Sequence, residues 1–161
     1  MLRNKIIGKP APAGKQGKAG KAGAVSSLAK DVTEVMAALG LSDAKAPEAL
    51  TVAYHSACSL QHGQKIGDQP KRLLREAGFL VRDPPEAHLC CGSAGVYNIL
   101  QPEIAGRLRD RKVRNIERLE PQVVATGNIG CMTQVAMHLG RLGSRVRVRH
   151  TMQVLRDGLA Q

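Results

Sequence analysis

The sequence predicts an α/β fold in which a parallel sheet of about four strands is flanked by helices. Short apolar runs rich in β-branched residues alternate along the chain with longer segments whose apolar residues recur at helical spacing. This regular alternation is typical of a parallel sheet whose strands are linked by helical crossovers. A length of 161 residues suits a single domain, which we expect to span residues 25–161.

The first half of that domain is predicted to contain two helices and two strands. Two serines precede a helical apolar pattern at residues 28–39, and residues 50–54 form a short apolar run that is typical of a buried strand. A proline near the start and a glycine at the end delimit a second helix at residues 69–78. Residues 79–81 then predict the second strand.

The second half continues the same alternation. It predicts helices at residues 103–119, 132–139 and 151–159, and strands at residues 123–125 and 146–148. Every strand is therefore followed by a helix, as the parallel architecture requires.

Residues 1–24 are predicted to form a disordered basic tail. They contain six basic residues and no acidic one, and they supply more than half of the formal net charge of +11. Residues 8–24 consist largely of Gly, Ala, Lys and Pro, which bury too little apolar surface to fold. The tail lacks the apolar stretch of a secretory signal, and the chain has no apolar run near the ~20 residues that a membrane helix needs.

The basic charge does not by itself predict a nucleic-acid-binding protein. Aromatic residues make up only 2% of the chain, so a platform for stacking bases is hard to build. We therefore expect no nucleic acid partner. RNA binding through the tail is an alternative, and deletion of residues 1–24 would then abolish binding.

Four cysteines follow three of the predicted strands. Cys58 comes after the first strand, Cys90 and Cys91 after the second, and Cys131 after the third. Because loops that follow parallel strands emerge at one edge of the sheet, we expect the four thiols to converge there. Without a secretory signal, cysteines are more often metal ligands than disulfides. Four thiolates suit either an iron-sulfur cluster or tetrahedral zinc.

Two other interpretations of the cysteines remain open. They are compatible with inert thiols in the core, or with a redox switch at Cys90 and Cys91. Adjacent cysteines diverge unless the backbone bends sharply, and Gly92 and Gly95 can supply such a bend.

The histidines and the basic helix are given structural interpretations. We expect His55, His62, His88 and His150 to lie near the same edge of the sheet as helix caps or hydrogen-bonding groups rather than as ligands. The helix at 103–119 carries a basic set that we interpret as a solvated face. This set comprises Arg107, Arg109, Arg111, Lys112, Arg114 and Arg118.

Four segments resemble the C-terminal cysteine-rich (CCG) domain of glycolate oxidase iron-sulfur subunits. They are YHSACSLQHG at residues 54–63, LCCGSAGVYN at 89–98, LQPEIA at 100–105 and GNIGCMTQ at 127–134. The similarity covers about residues 25–161. The broader CCG family includes the heterodisulfide reductase subunit that binds noncubane 4Fe-4S clusters, and its pattern is one cysteine, a spacer, Cys-Cys-Gly, a second spacer and Cys-x-x-Cys.

The resemblance implies a ligand role for Cys58, Cys90, Cys91 and Cys131. Thirty-one residues lie between Cys58 and Cys90, which fits the family pattern. The first cysteine of the final pair would fall at position 128, where this sequence has Asn128. A four-thiolate 4Fe-4S cluster, zinc and an empty site therefore stand beside the five-thiolate noncubane cluster as alternatives.

The resemblance further implies an electron-transfer subunit, or a fragment of one, in a glycolate oxidase complex. Flavin-containing partner subunits would carry FAD and oxidise glycolate to glyoxylate, because no residue here is equipped to bind FAD or abstract the substrate's proton. The ferredoxin-like portion that such subunits usually carry is missing from this chain. We expect a cytoplasmic location, peripheral to the inner face of the membrane if the complex associates with it. The alternative is a zinc-bound or metal-free module that docks to redox subunits.

Overall fold

The computed structural model describes residues 18–41, 46 and 49–159, and within them one parallel sheet confirms the predicted fold class. Its strands are β1 (Thr51–Tyr54), β2 (Leu80–Arg82), β3 (Val123–Thr126) and β4 (Arg147–His150). Their order across the sheet is β2-β1-β3-β4, and all three pairings are parallel. The four strands lie within two residues of their predicted positions.

Helices flank the sheet on both faces. In chain order they are α1 (Lys18–Leu28), α2 (Val32–Leu39), the π-helix (Ser59–Gln64), α3 (Gln69–Glu76), α4 (Tyr97–Leu100), α5 (Pro102–Glu117), α6 (Ile129–Arg141) and α7 (Thr151–Leu159). Among the described residues, none of these helices has the length and apolar character needed to cross a membrane. The sequence did not predict the π-helix or α4.

The two faces of the sheet bury separate hydrophobic clusters. Along β1, Val52 and Tyr54 belong to the cluster beneath α3 and α7, whereas Ala53 belongs to the cluster beneath α5 and α6. This division follows from the period of two with which side chains alternate along a strand. Cys91 and Cys131 belong to the α5 and α6 cluster, so the cysteine site adjoins that face.

The order of the strands creates a switch point between β1 and β3. The chain leaves β1 towards β2 on one side, and leaves β3 towards β4 on the other. Ligands of open α/β sheets bind in the crevice outside the carboxyl ends of the strands at such a point. The loops after β1 and β3 carry Cys58 and Cys131, and β2, which precedes the other two cysteines, is the neighbour of β1.

The N-terminal part of the structure differs from the prediction. The helix predicted at residues 28–39 begins only at Val32, and Asp31 rather than a serine caps it. The Asp31 carboxylate accepts a hydrogen bond from the Thr33 N–H at 2.9 Å, and the Glu34 carboxylate accepts one from the Asp31 N–H at 2.9 Å. This reciprocal capping box starts a new helix, so α1 and α2 are separate elements.

The predicted tail at residues 1–24 is described only in part. Residues 1–17 lie outside the described residues. Residues 18–24 belong to α1, a helix whose described side chains are exposed.

Candidate metal centre

The predicted convergence of the four cysteines is observed at the carboxyl edge of the sheet. Cys58 directly precedes the π-helix, Cys90 and Cys91 follow β2, and Cys131 lies in the first turn of α6. Cys58 contacts Cys90, and Cys91 contacts Cys131. All four are free thiols, so Cys90 and Cys91 do not form a disulfide. Their role as ligands remains a prediction.

Three buried groups form the innermost part of this site. The ligand atoms of His55, Cys91 and Cys131 all lie within 4.8 Å of one another. The exposed fractions of these residues are 1%, 1% and 6%, respectively. Two atoms that bind the same metal ion at about 2.0–2.3 Å lie at most about 4.6 Å apart. The three ligand atoms therefore have nearly the spacing that a shared metal requires.

Close contact between thiols changes their acidity. The pKa of Cys91 is lowered, first because the Cys131 thiol donates a hydrogen bond to it, with further contributions from His55 and the Ser93 N–H. The pKa of Cys131 is raised by the same hydrogen bond and by burial. Burial, followed by the neighbouring Cys90, raises the pKa of Cys58. The site therefore favours a thiolate at Cys91, the form in which cysteine binds a metal.

His55 is the site residue whose role the sequence interpretation missed. It directly follows β1, and its backbone N–H donates to the Ala125 carbonyl at 2.9 Å. The period of two places its side chain on the same face as Ala53, the face of the cysteine site. Both ring nitrogens are buried and neither has a well-formed hydrogen bond among the described residues, but the ring interacts with the Cys91 thiolate and lowers the pKa of that cysteine, in keeping with the hydrogen-bonding role expected for His55.

The other three histidines that the sequence predicted near this edge have different positions. His150 accepts a hydrogen bond from the Met152 N–H at 3.2 Å through its Nδ1 atom, which confirms the expected capping role. His62 and His88 are exposed. Of these four histidines, His55 is thus the one that belongs to the innermost part of the site.

The loop that carries the cysteine pair is fixed by a buried lysine. Lys112 is 0% exposed, and its Nζ atom donates hydrogen bonds to the carbonyls of Glu86 at 2.9 Å and Ala87 at 3.2 Å. Burial lowers the pKa of this amine, and the nearby Cys91, Cys58 and Cys90 act in the opposite direction. The interpretation of the basic helix as wholly solvated is therefore wrong at Lys112.

Two glycines allow the loops to approach closely. Gly92 has a positive φ of 86°, and a Cβ atom there would overlap the Ala105 carbonyl of α5. Its N–H donates to the Cys90 sulfur at 3.3 Å. At Gly130, a Cβ atom would lie 2.7 Å from the Ser93 hydroxyl oxygen. Glycine at these positions lets α5 and α6 contact the cysteine loop.

The family of the chain follows from comparison with known proteins. Residues 52–136 match the model of the CCG cysteine-rich domain, and this span exceeds half of the chain. The chain belongs to the CCG cysteine-rich domain family. The matched span includes all four cysteines and all three loops that build the site.

Relatives of this CCG domain include redox proteins. The chain is 38% identical to the glycolate oxidase iron-sulfur subunit of Escherichia coli over 84% of its length, which covers 32% of that protein. It is 32% identical to lactate utilization protein A of Geobacillus kaustophilus over 63% of its length, or 43% of that protein. The chain thus spans less than half of the length of each of these two relatives.

Asn128, at the position where the CCG pattern has a cysteine, has a structural role in this chain. Its side-chain oxygen accepts hydrogen bonds from the N–H groups of Gly130 at 2.9 Å and Cys131 at 3.3 Å. Its amide nitrogen donates to the Ser59 hydroxyl at 3.3 Å. Asn128 therefore caps α6 and links it to the π-helix, and its polar atoms are engaged.

The residues present fit a metal centre of the thiolate type. Thiolate and imidazole are soft or intermediate ligands that bind iron-sulfur clusters and zinc. The His55 ring is the independent sign, because both of its nitrogens are buried without a well-formed hydrogen bond and a buried polar group without a partner costs about 1–3 kcal/mol. Coordination of a metal would satisfy one of them.

Proposed function

We propose that this CCG domain binds an iron-sulfur cluster, of the 4Fe-4S type, and serves as an electron-transfer component of a flavin-dependent glycolate oxidase complex. When bound, such a cluster supplies one-electron transfer. The flavin-containing subunits of the complex carry FAD and oxidise glycolate to glyoxylate. We place the complex in the cytoplasm, with peripheral association at the inner face of the membrane.

The observation that carries this proposal is the convergence of four thiols from three separate loops. Cys58, Cys90, Cys91 and Cys131 would hold the cluster. The names of the relatives from Escherichia coli and Geobacillus kaustophilus support a 2-hydroxy acid as the electron source, because both glycolate and lactate belong to that class.

The surrounding residues suit a centre that carries negative charge. Lys112 places a buried cationic amine beside the thiols, which offsets the charge of several thiolates. The Gly92 N–H donates to the Cys90 sulfur, and backbone donors of this kind tune the potential of a cluster. Burial of Cys91 and Cys131 excludes water from the inner side of the site.

Exposed apolar side chains around the site support a partner interface. Val96, Ile99 and Leu100 follow the cysteine pair and are 62–73% exposed, and Ile129 at the start of α6 is 73% exposed. Large exposed apolar groups that cluster on a surface mark interaction sites. We assign this surface to the flavin-containing subunits and the ferredoxin-like part of the complex.

Anaerobic purification followed by metal analysis tests the cluster. We expect a brown protein that contains iron and acid-labile sulfide, and each Cys→Ser variant at the four positions should lose most of that iron. The matched control is His62→Gln, which changes an exposed residue near Cys58 and should keep it. Stoichiometric zinc without iron would contradict the proposal and favour the zinc-bound docking module.

Co-purification tests the assignment to the complex. A variant with Ile99→Asp and Leu100→Asp should lose its association with the flavin-containing subunits while retaining wild-type iron content. Met137→Asp is the control, since Met137 is an exposed apolar residue two turns along α6 from the site. In the assembled complex, addition of glycolate should reduce the cluster, and a cluster that stays oxidised would refute the electron-transfer role.

A further inference from the structure

We propose that His55 is a ligand of the metal centre, in addition to the four cysteines. This inference rests on the proposed function, because it assumes that a metal centre forms at the site. It assigns an imidazole nitrogen to the centre next to the thiolates of Cys91 and Cys131.

The burial of the His55 ring beside the thiols is the first argument. The residue is 1% exposed, and neither Nδ1 nor Nε2 has a well-formed hydrogen bond among the residues that the structure describes, the ring interacting instead with the Cys91 thiolate. A neutral imidazole has one donor and one acceptor, and each buried polar atom without a partner costs about 1–3 kcal/mol. The ring can offer only its donor nitrogen to a thiolate, so the other nitrogen stays unsatisfied unless a bound species satisfies it.

The neighbours of the ring identify that species. Among the described residues, the metal-ligating atoms grouped with the ring are the sulfurs of Cys91 and Cys131, and the three atoms lie within 4.8 Å of one another. A hydrogen bond between the ring and a thiolate would satisfy only the donor nitrogen. A metal shared with these sulfurs would bind the acceptor nitrogen, which no thiolate can satisfy.

The second ring nitrogen also has a group available to it. In the register of β1 with β3, Tyr54 is opposite Ala125, so Thr126 is the next residue opposite His55. The Thr126 hydroxyl is buried and has no partner among the described residues. Histidines that bind metals almost always donate their other N–H to an oxygen acceptor. The register makes this hydroxyl the candidate acceptor once the ring binds a metal, although the two groups are not hydrogen-bonded in the structure.

The strand holds the ring in place before any metal binds. The His55 N–H is bonded to the Ala125 carbonyl, which continues the ladder of the sheet, and the side chain faces the cysteine cluster by strand parity. Asn128 is engaged as a helix cap, whereas the His55 ring lies beside the Cys91 and Cys131 sulfurs. Exchange of a thiolate for a neutral imidazole raises the potential of an iron-sulfur centre, as in Rieske centres.

The test compares His55→Phe with a control variant in the protein containing bound iron. Phenylalanine preserves a buried ring but removes both nitrogens. The control His62→Gln removes an exposed histidine of the π-helix, and a third variant, Thr126→Val, removes the hydroxyl assigned to the second ring nitrogen. The paramagnetic state of the cluster is examined by pulsed EPR in protein labelled with 15N-histidine and in unlabelled protein.

In the wild type we expect a coupling between the cluster and a histidine nitrogen. Its spectrum should differ between the labelled and the unlabelled protein. His55→Phe should lose the coupling, His62→Gln should keep it, and Thr126→Val should alter its size without abolishing it. His55→Cys should bind iron without the nitrogen coupling and at a lower reduction potential than the wild type.

The outcomes separate the two proposals. Iron that is bound without a histidine nitrogen coupling, or a coupling that persists in His55→Phe, overturns the role of His55 and leaves the proposed function intact. A wild-type protein that binds no iron overturns the proposed function and this inference with it.

Discussion

Replacement of the buried Lys112 by methionine tests how the loop carrying the cysteine pair is held. Lys112→Met keeps an unbranched side chain in the core but removes the ammonium group that donates to the carbonyls of Glu86 and Ala87. Because these two residues are half-buried, we take the lower end of the cost of an unsatisfied acceptor, about 1 kcal/mol each. Relief of the buried charge acts in the opposite direction. The expected net loss of unfolding free energy is about 1–2 kcal/mol.

The neighbouring arginine provides the matched control for this prediction. Arg111 also contacts Glu86, with its Nε atom 2.8 Å from a carboxylate oxygen, but its side chain is exposed. Exposed ion pairs contribute about 0–1 kcal/mol, so Arg111→Met should change stability less than Lys112→Met.

Urea unfolding of the metal-free protein measures the difference. With a slope of roughly 2 kcal/mol per molar urea, Lys112→Met should lower the unfolding midpoint by about 0.5–1 M. A variant at least as stable as the wild type would refute the reasoning, since the cost of burying the ammonium would then exceed the value of its two hydrogen bonds.

Three further predictions concern the loops and the surface. Gly92→Ala should destabilise the fold by ~2 kcal/mol or more in thermal unfolding. Gly95 also has a positive φ, but a Cβ atom there meets open space, so Gly95→Ala should cost about 1 kcal/mol. Equal losses in the two variants would refute the close approach of Gly92 to α5. Asn128→Ala should cost about 1 kcal/mol through loss of the cap of α6, and Asn128→Asp should retain it; equal stability of the two variants would contradict the capping role. The pKa of Glu86 is lowered, first by Arg111, so its contribution to stability is present above the ordinary value of 4.5 and is lost as the pH falls below it. Urea unfolding of Glu86→Gln across that range should show a shallower acid-side slope than the wild type, and an unchanged slope would contradict the ion pair.

The sheet was predictable because its strands are short apolar runs with clear boundaries. The start of α2 was not, because the apolar pattern begins at Leu28 while the capping box at Asp31 fixes the start of the helix. Capping depends on which side chain reaches a free backbone N–H, and two serines upstream offered the same chemistry. The π-helix at Ser59–Gln64 depends on the packing of the loop after Cys58, which periodicity does not report.

The cysteines of the site were predictable, but two of its other residues were not. Loops that follow parallel strands lie at one edge of the sheet. The order of strands and helices was therefore enough to predict that Cys58, Cys90, Cys91 and Cys131 converge. The alternation of side chains along a strand could have identified His55, since it lies two residues after Ala53, which is on the face of the cysteine site. Lys112 is seven residues after the buried Ala105 of α5, so helical period places it on the buried face. Its charge led instead to the solvated interpretation, because sequence alone does not reveal carbonyl acceptors inside a fold.

The distribution of the four cysteines over three loops has a consequence for the biosynthesis of the proposed centre. Cys58 leaves the ribosome well before Cys131, and the two come together only when β3 has inserted beside β1 in the centre of the sheet. A centre bridging all of these loops can therefore be loaded only after that insertion, late in the maturation of the chain. A nascent chain that ends before α6 would expose three reactive thiols without the fourth, and iron delivered at that stage would have no complete acceptor.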